Sequence, residues 1–237
     1  MRSPSVSIVI PAHNEEASLP ATISSLESIV AIDHEIVVVS DHSVDKTANV
    51  VRKLSDKFSN LRMVENDTEP GFTNAIKKGF LEARGEMIVL VMADSCDDPH
   101  TINKMYEKIS QGYDVVCASR YMKGGKKLGG RFLQTLLSQW SGLSLSYLTK
   151  IPTHDCSNAF KMYRKEALDS IEIKEAGFAS SLEIVVKLFL KGFKITEIPT
   201  VWKDRVAGVS SFNVFKVLSN YLHWYFWALF AKRDRTR

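Results

Sequence analysis

Short apolar runs rich in β-branched residues recur along this chain, and the segments between them carry apolar residues at helical spacing. No other feature constrains the fold as tightly. The runs at 6–10, 35–39, 61–64, 87–92, 114–118, 159–162 and 194–201 read as strands. Segments 17–30, 44–58, 73–83, 99–110, 132–148, 165–171, 180–190 and 212–230 read as helices. Strands that are apolar on both faces need cover on both sides. Strand–helix alternation with such runs predicts an α/β fold, a mainly parallel sheet with helices on both faces. A chain of 237 residues has room for one such domain and is short for two. We expect a main domain over 1–211 and a C-terminal amphipathic aromatic helix with a basic tail over 212–237.

Composition removes several classes. With 45% hydrophobic and 24% charged residues the chain is neither disordered nor fibrous. Cys96, Cys117 and Cys156 form no CxxC pair, and the histidines show no metal-ligand spacing, so no zinc site or disulfide framework is expected. Free thiols suit a reducing cytosol. The N-terminus has no signal-peptide pattern, and no apolar stretch reaches the roughly 20 residues of a membrane-spanning helix. The formal charge of +4 suits an anionic ligand or an anionic membrane surface. The glycine-rich loops of P-loop NTPases and of dinucleotide-binding domains are both absent.

In parallel α/β sheets ligands bind at the carboxyl ends of the strands, and there the polar residues of this chain collect. "PAHNEE" follows the first strand, "SDHSVDKT" the second, "ADSCDDP" the fourth and "SRYMKGG" the fifth. Asp94, Asp97 and Asp98 fall within five residues. Such a cluster repels itself unless a cation or hydrogen-bond donors offset it. Mg²⁺ or Mn²⁺, held by Asp94 and Asp97 together with substrate phosphates, fits that requirement. Asp98 before Pro99 is placed to cap the next helix. Asp41 is placed to accept from a nucleotide base, with Ser43 or Asp45 capping the following helix. Arg120 is placed to neutralise a diphosphate, and Lys123, Lys126 and Lys127 add charge on what reads as a mobile Gly/Lys-rich loop. Glu183 sits on an apolar helix face. It needs either an ion-pair partner, Lys187 or Arg205, or a function such as general base.

These segments resemble family-2 glycosyltransferases of the GT-A fold, and within them the dolichyl-phosphate mannosyltransferases and other polyprenyl-phosphate hexose synthases. The likeness runs from about Val6 to Ser211. It is carried by "VSIVIPAHNEE", "VVVSDHSVDKT", "EPGFTNAIKKGF", "ASRYMKGG", "GFASSLEIVVKLFLKGFKITEIP" and "DRVAGVSS". The resemblance implies that Pro11, Ala12, Asn14 and Glu15 line the nucleotide pocket. Asp41 would meet the base, Arg120 and Arg205 would face phosphates, and Ser210 would lie on the acceptor side. The chain departs from the family pattern twice. Aligned without gaps to Pro99, the family's Asp-x-Asp falls on Ala93 and Ser95, so the acid has moved to Asp94. A usual Ser-Lys is Ser210-Ser211.

The implied activity is inverting hexose transfer from a GDP- or UDP-sugar donor to a polyprenyl phosphate, with Mg²⁺ or Mn²⁺ as cofactor and no nucleic acid partner. The expected place is peripheral, on the cytoplasmic face of a membrane. Tyr221, Trp224, Tyr225, Phe226, Trp227, Leu229 and Phe230, followed by Lys232, Arg233, Arg235 and Arg237, have the composition of an interfacial helix. The alternative for that helix is packing on the core or on a second copy in a homodimer. The segment 132–148 reads equally as a lipid-cradling helix or a core helix. The rival activities are transfer to a glycan or soluble hydroxyl, and non-catalytic binding of a nucleotide sugar or membrane.

Overall fold

A computed structural model describes residues 3–205 and 214–231. The first half alternates as expected: β1 (Val6–Ala12), α1 (Leu19–Ile29), β2 (His34–Ser40), α2 (Thr47–Ser55), β3 (Leu61–Glu65), α3 (Phe72–Glu82), β4 (Met87–Leu90), α4 (His100–Ser110) and β5 (Val115–Ser119). Then come β6 (Lys126–Leu128), α5 (Phe132–Thr149), β7 (Lys161–Arg164), α6 (Lys165–Asp169), α7 (Ser180–Leu190), β8 (Ile195–Pro199), β9 (Val201–Lys203) and α8 (Val214–Phe230).

The central sheet has the order β3-β2-β1-β4-β7-β5-β8. Every pairing is parallel except those of β7, which runs antiparallel between β4 and β5. Alternate residues of each strand enter two different cores. Ile8, Ile10, Ile36 and Val38 pack under α1, α2 and α4. Val9, Val37 and Val39 pack under α3 and the C-terminal helices. This two-sided burial explains why the strands read as continuous apolar runs.

The reversed strand shapes the site. The parallel strands put their carboxyl ends on one edge. Because β7 points the other way, its amino end and the loop before it reach that same edge: Lys161 stands opposite Leu90 and Cys117.

Two expectations are corrected here. The Gly/Lys-rich segment is not simply a mobile loop, because Lys126–Leu128 forms β6, paired in parallel with β9. The last predicted strand is two strands, broken at Thr200, and its second half leaves the main sheet to make that pair.

The C-terminal helix is tied to the domain. Trp224 and Ala228 are buried in the core that also holds α7. Helix α5 is no core helix, since only Gly142 and Leu145 are buried along its length. Among the described residues no helix is long and apolar enough to cross a membrane. Cys96, Cys117 and Cys156 are free and buried.

Candidate active site

The loops after β1 and β2 are laced together. Asn14 takes the left-handed conformation (φ 55°), which asparagine tolerates. Its Oδ1 accepts from the amides of Val44 (2.9 Å) and Asp45 (3.3 Å). The Glu15 amide donates to Thr47 Oγ1 (2.9 Å), and the Glu16 amide to Asp45 Oδ2 (3.1 Å). Pro11 and Ala12 are buried at the end of β1. Asn14 and Glu15 therefore brace the loop pair through these bonds. Asp41 lies beneath it, 7% exposed. Its Oδ1 accepts from Asn66 Nδ2 (2.7 Å) and its Oδ2 from the Gly71 amide (3.0 Å). Asn66 escaped the sequence reading. Its signal was position, one residue past a strand on the same edge.

The acidic loop after β4 folds over the N-terminal half of α1. Thr22 Oγ1 donates to the Ala93 carbonyl (2.9 Å) and lies 2.6 Å from Ser95 Oγ. Asp94 Oδ1 accepts from the Cys96 amide (3.2 Å), and Asp94 Oδ2 accepts from Arg205 (2.9 Å). Asp97 is half-buried as a residue, but its Oδ2 is sealed from solvent without a hydrogen-bond partner. Burial, then the neighbouring Asp94, push its carboxyl up to about 7. Asp98 Oδ1 accepts from the His100 amide (3.1 Å), the expected capping role.

A cavity of about 400 Å³ between α1 and α4 opens against this loop and is lined by Thr22, Ser25, Asp97, Asp98 and His100 among others. Among the described residues no three His, Cys, Asp or Glu side chains converge on a metal position. Two carboxylates completed by phosphate oxygens are nevertheless a usual donor set for Mg²⁺ or Mn²⁺. An orphaned, charge-strained carboxylate oxygen on Asp97 beside Asp94 fits such an ion.

Arg120, just past β5, meets Asp155 from the loop that β7 carries to this edge. The pair is bidentate, Nε to Oδ2 at 2.7 Å and Nη2 to Oδ1 at 2.8 Å, and the Arg120 amide also donates to Oδ2 (3.0 Å). Asp155 is fully buried and the Arg120 side chain 11% exposed. Burial opposes the guanidinium charge, but Asp155 outweighs it and raises the arginine pKa above its usual value. Asp155 was missed because a lone acid in "THDCSN" carries no spacing signal.

Lys127, on β6, stands nearby over the Trp202 ring and donates to Thr135 Oγ1 (2.8 Å). Burial, then Arg120, bring its pKa down to about 8. Both cations line a groove of about 210 Å³ between α5 and α8, together with Leu137, Leu145, Leu218, Tyr221 and Leu222. Outside the groove α5 exposes Phe132 (81%), Trp140 (66%) and Tyr147 (75%), and α8 exposes Phe226 and Phe230.

One expected role changes. Glu183 is not poised as a base. It is completely buried, its oxygens accept from the amides of Lys174 (2.7 Å) and Glu175 (2.8 Å), and Lys187 pairs with it one turn on. Of its two suggested partners Lys187 is the one it meets, while Arg205 goes to Asp94. Ser210 and the basic tail lie outside the described residues.

Comparison with known proteins agrees with this architecture. The chain is 32% identical over 210 residues to a dolichol-phosphate mannosyltransferase of Pyrococcus furiosus, covering 86% of this chain and 58% of that protein. It thus spans little more than half of that relative's length. It is 23% identical to a polyprenol monophosphomannose synthase of Mycolicibacterium smegmatis, over 97% of this chain and 89% of the relative. Among solved structures, glucosyl-3-phosphoglycerate synthase from Mycobacterium tuberculosis, in complex with Mn²⁺ and UDP, superposes with a TM-score of 0.71 at 17% identity, over 98% of this chain and 82% of that one. Staphylococcus aureus TarS, in complex with UDP, gives 0.64 at 22% identity, over 84% and 60%. These likenesses identify the fold as GT-A. Residues 7–172 match the glycosyl transferase family 2 domain, and the chain belongs to that family.

Proposed function

We propose that this protein transfers a hexose from a nucleotide sugar to a polyprenyl phosphate at a membrane surface. The observation that carries the reading is the groove between α5 and α8: its lining is mainly apolar and also includes Arg120 and Lys127. A long isoprenoid with a phosphate head has that same distribution of character. The names of the two relatives point to the same acceptor class and favour mannose as the sugar. The donor is a GDP- or UDP-sugar, with its base toward Asp41 and its diphosphate between the 93–99 loop and Arg120.

The acceptor phosphate is already anionic and needs no strong base, which agrees with Glu183 being sealed away. Catalysis then rests on holding acceptor and donor in line and on stabilising the leaving diphosphate. Asp155 fixes the Arg120 guanidinium in advance, so little reorganisation is left for the reaction itself. Asp94 and Asp97 would hold Mg²⁺ or Mn²⁺, which supplies positive charge to the departing nucleoside diphosphate. Loading the ion needs both carboxylates ionised and Asp94 shared with, or released from, Arg205.

The exposed aromatic face of α5 and α8 suits a peripheral position on the bilayer, and the cytoplasmic side is where nucleotide sugars would be met. The deciding experiment is a panel of GDP- and UDP-sugars against polyprenyl phosphate, with and without EDTA, on the wild type and Asp94→Asn. We expect EDTA-sensitive transfer to the lipid by the wild type and none by the variant. Transfer only to soluble hydroxyl acceptors would overturn the acceptor. Full activity in Asp94→Asn would overturn the metal role.

A further inference from the structure

The strap between α6 and α7 touches both ends of the site. Its middle is fixed from α7. Glu183 binds the amides of Lys174 and Glu175, and Lys187 reaches the Glu172 carbonyl (2.6 Å). Glu175 then projects onto α8, 8% exposed. Its Oε1 accepts from Asn220 Nδ2 (2.7 Å) and the Gly177 amide (3.0 Å), and its Oε2 from Trp224 Nε1 (2.9 Å). Lys187 also stands 5.0 Å from the Trp224 ring. Tyr221, between those two α8 residues, donates to the Phe178 carbonyl (3.0 Å). One turn on, the Tyr225 hydroxyl donates to Ser144 of α5 (2.9 Å). Tyr221 and Tyr225 both line the groove.

At its other end the strap meets the start of α3. Thr73 Oγ1 donates to the Gly177 carbonyl (3.0 Å), and Phe72 stacks on Phe178 at 4.8 Å. The preceding residue, Gly71, is the one whose amide Asp41 holds.

Apolar burial alone is not directional and would let α8 slide or roll. A carboxylate that satisfies an indole N–H and a side-chain amide fixes one rotation and one register. We propose that Glu175 is a positioning residue: through Asn220 and Trp224 it sets the α8 wall of the acceptor groove, and its strap ties that wall to the loop at the nucleotide end. The proposal rests on the polyprenyl phosphate reading for its functional part and on the hydrogen-bond geometry for the rest.

The test uses the full chain with Glu175→Gln and Trp224→Phe, each of which keeps most of the packing. Three quantities are measured: the KM for polyprenyl phosphate, nucleotide-sugar affinity by calorimetry, and amide exchange along α8. The acceptor KM should rise about tenfold, the scale of one hydrogen bond to a charged group. Donor affinity should stay at the wild-type value while α8 exchanges faster. Faster exchange with an unmoved acceptor KM makes Glu175 a plain structural anchor and overturns the proposal. So does an equal loss of donor and acceptor binding. If the wild type transfers nothing to polyprenyl phosphate, the acceptor reading fails by itself, and unchanged α8 exchange in Glu175→Gln then sinks the clamp independently.

Discussion

Removing the Asp155 carboxylate separates two jobs that one ion pair performs. In Asp155→Ala the Arg120 guanidinium, only 11% exposed, loses both of its short carboxylate contacts. Breaking a buried pair from one side costs about 3–5 kcal/mol, because the remaining charge is stranded. The Arg120 amide, which donates to Asp155 at 3.0 Å, is orphaned as well. For a chain of this size that loss lowers the melting temperature by about 10 °C. The double variant Arg120→Met/Asp155→Ala removes the stranded charge and leaves chiefly the orphaned amide, worth about 1–3 kcal/mol. Its melting temperature should therefore recover part of the way, while activity is lost because the cation proposed to face the phosphate is gone. Calorimetric melting together with a transfer assay reads both quantities. If the double variant melts no higher than Asp155→Ala, the stranded-charge argument is wrong. If it regains activity, Arg120 has no place in the chemistry.

Lys127 gives a pH signature in which binding and stability move in opposite directions. Its folded pKa of about 8 lies below its ordinary value of 10.5. The ammonium thus costs stability below pH 8, and that cost fades as pH rises from about 8 towards 10.5. Acceptor KM should climb through pH 8 as the cation is lost, while denaturant stability gains a rising component over the same range; a flat KM profile excludes Lys127 from the acceptor site. Gly142→Ala places a methyl against the His154 carbonyl, which is backbone and yields little. It should push α5 off the 153–156 loop and cost about 1–3 kcal/mol. A melting curve matching the wild type would refute that close approach. Phe132→Glu and Trp140→Glu alter residues 81% and 66% exposed, so folding should change by under about 0.5 kcal/mol. Flotation with anionic vesicles should weaken in both, and undiminished flotation counts against α5 as the membrane face.

How much of this was legible in the sequence depends on whether the signal was local. Strands β1, β2 and β4 announced themselves because each is buried on both faces, and α7 was bounded correctly from its apolar pattern and Gly192. Strand β6 was not visible, since Lys-Lys-Leu between glycines has no apolar period and becomes a strand only by pairing with β9, more than seventy residues later. The direction of β7 was equally hidden, because an apolar run reads the same for either orientation, and with it went Asp155. The acidic loop was found from its letters, but the division of labour inside it was not. Apart from the expected cap at Asp98, it rests on tertiary facts: Arg205 on Asp94 and a bare oxygen on Asp97. Glu183 shows the same limit from the other side: Lys187 one turn along could be named in advance, whereas the two strap amides that complete its shell could not. Helix α5 is the sharpest case. The stripe Phe132, Leu136, Trp140, Leu143 and Tyr147 would suit a core or a lipid surface, and only its exposure in the fold excludes the core. Burying Phe132, Trp140 and Tyr147, the most exposed of them, against the domain would have contributed roughly 1.5–3 kcal/mol each. Exposed apolar surface beside a groove that Arg120 and Lys127 help to line is what the proposed lipid-facing role of α5 calls for.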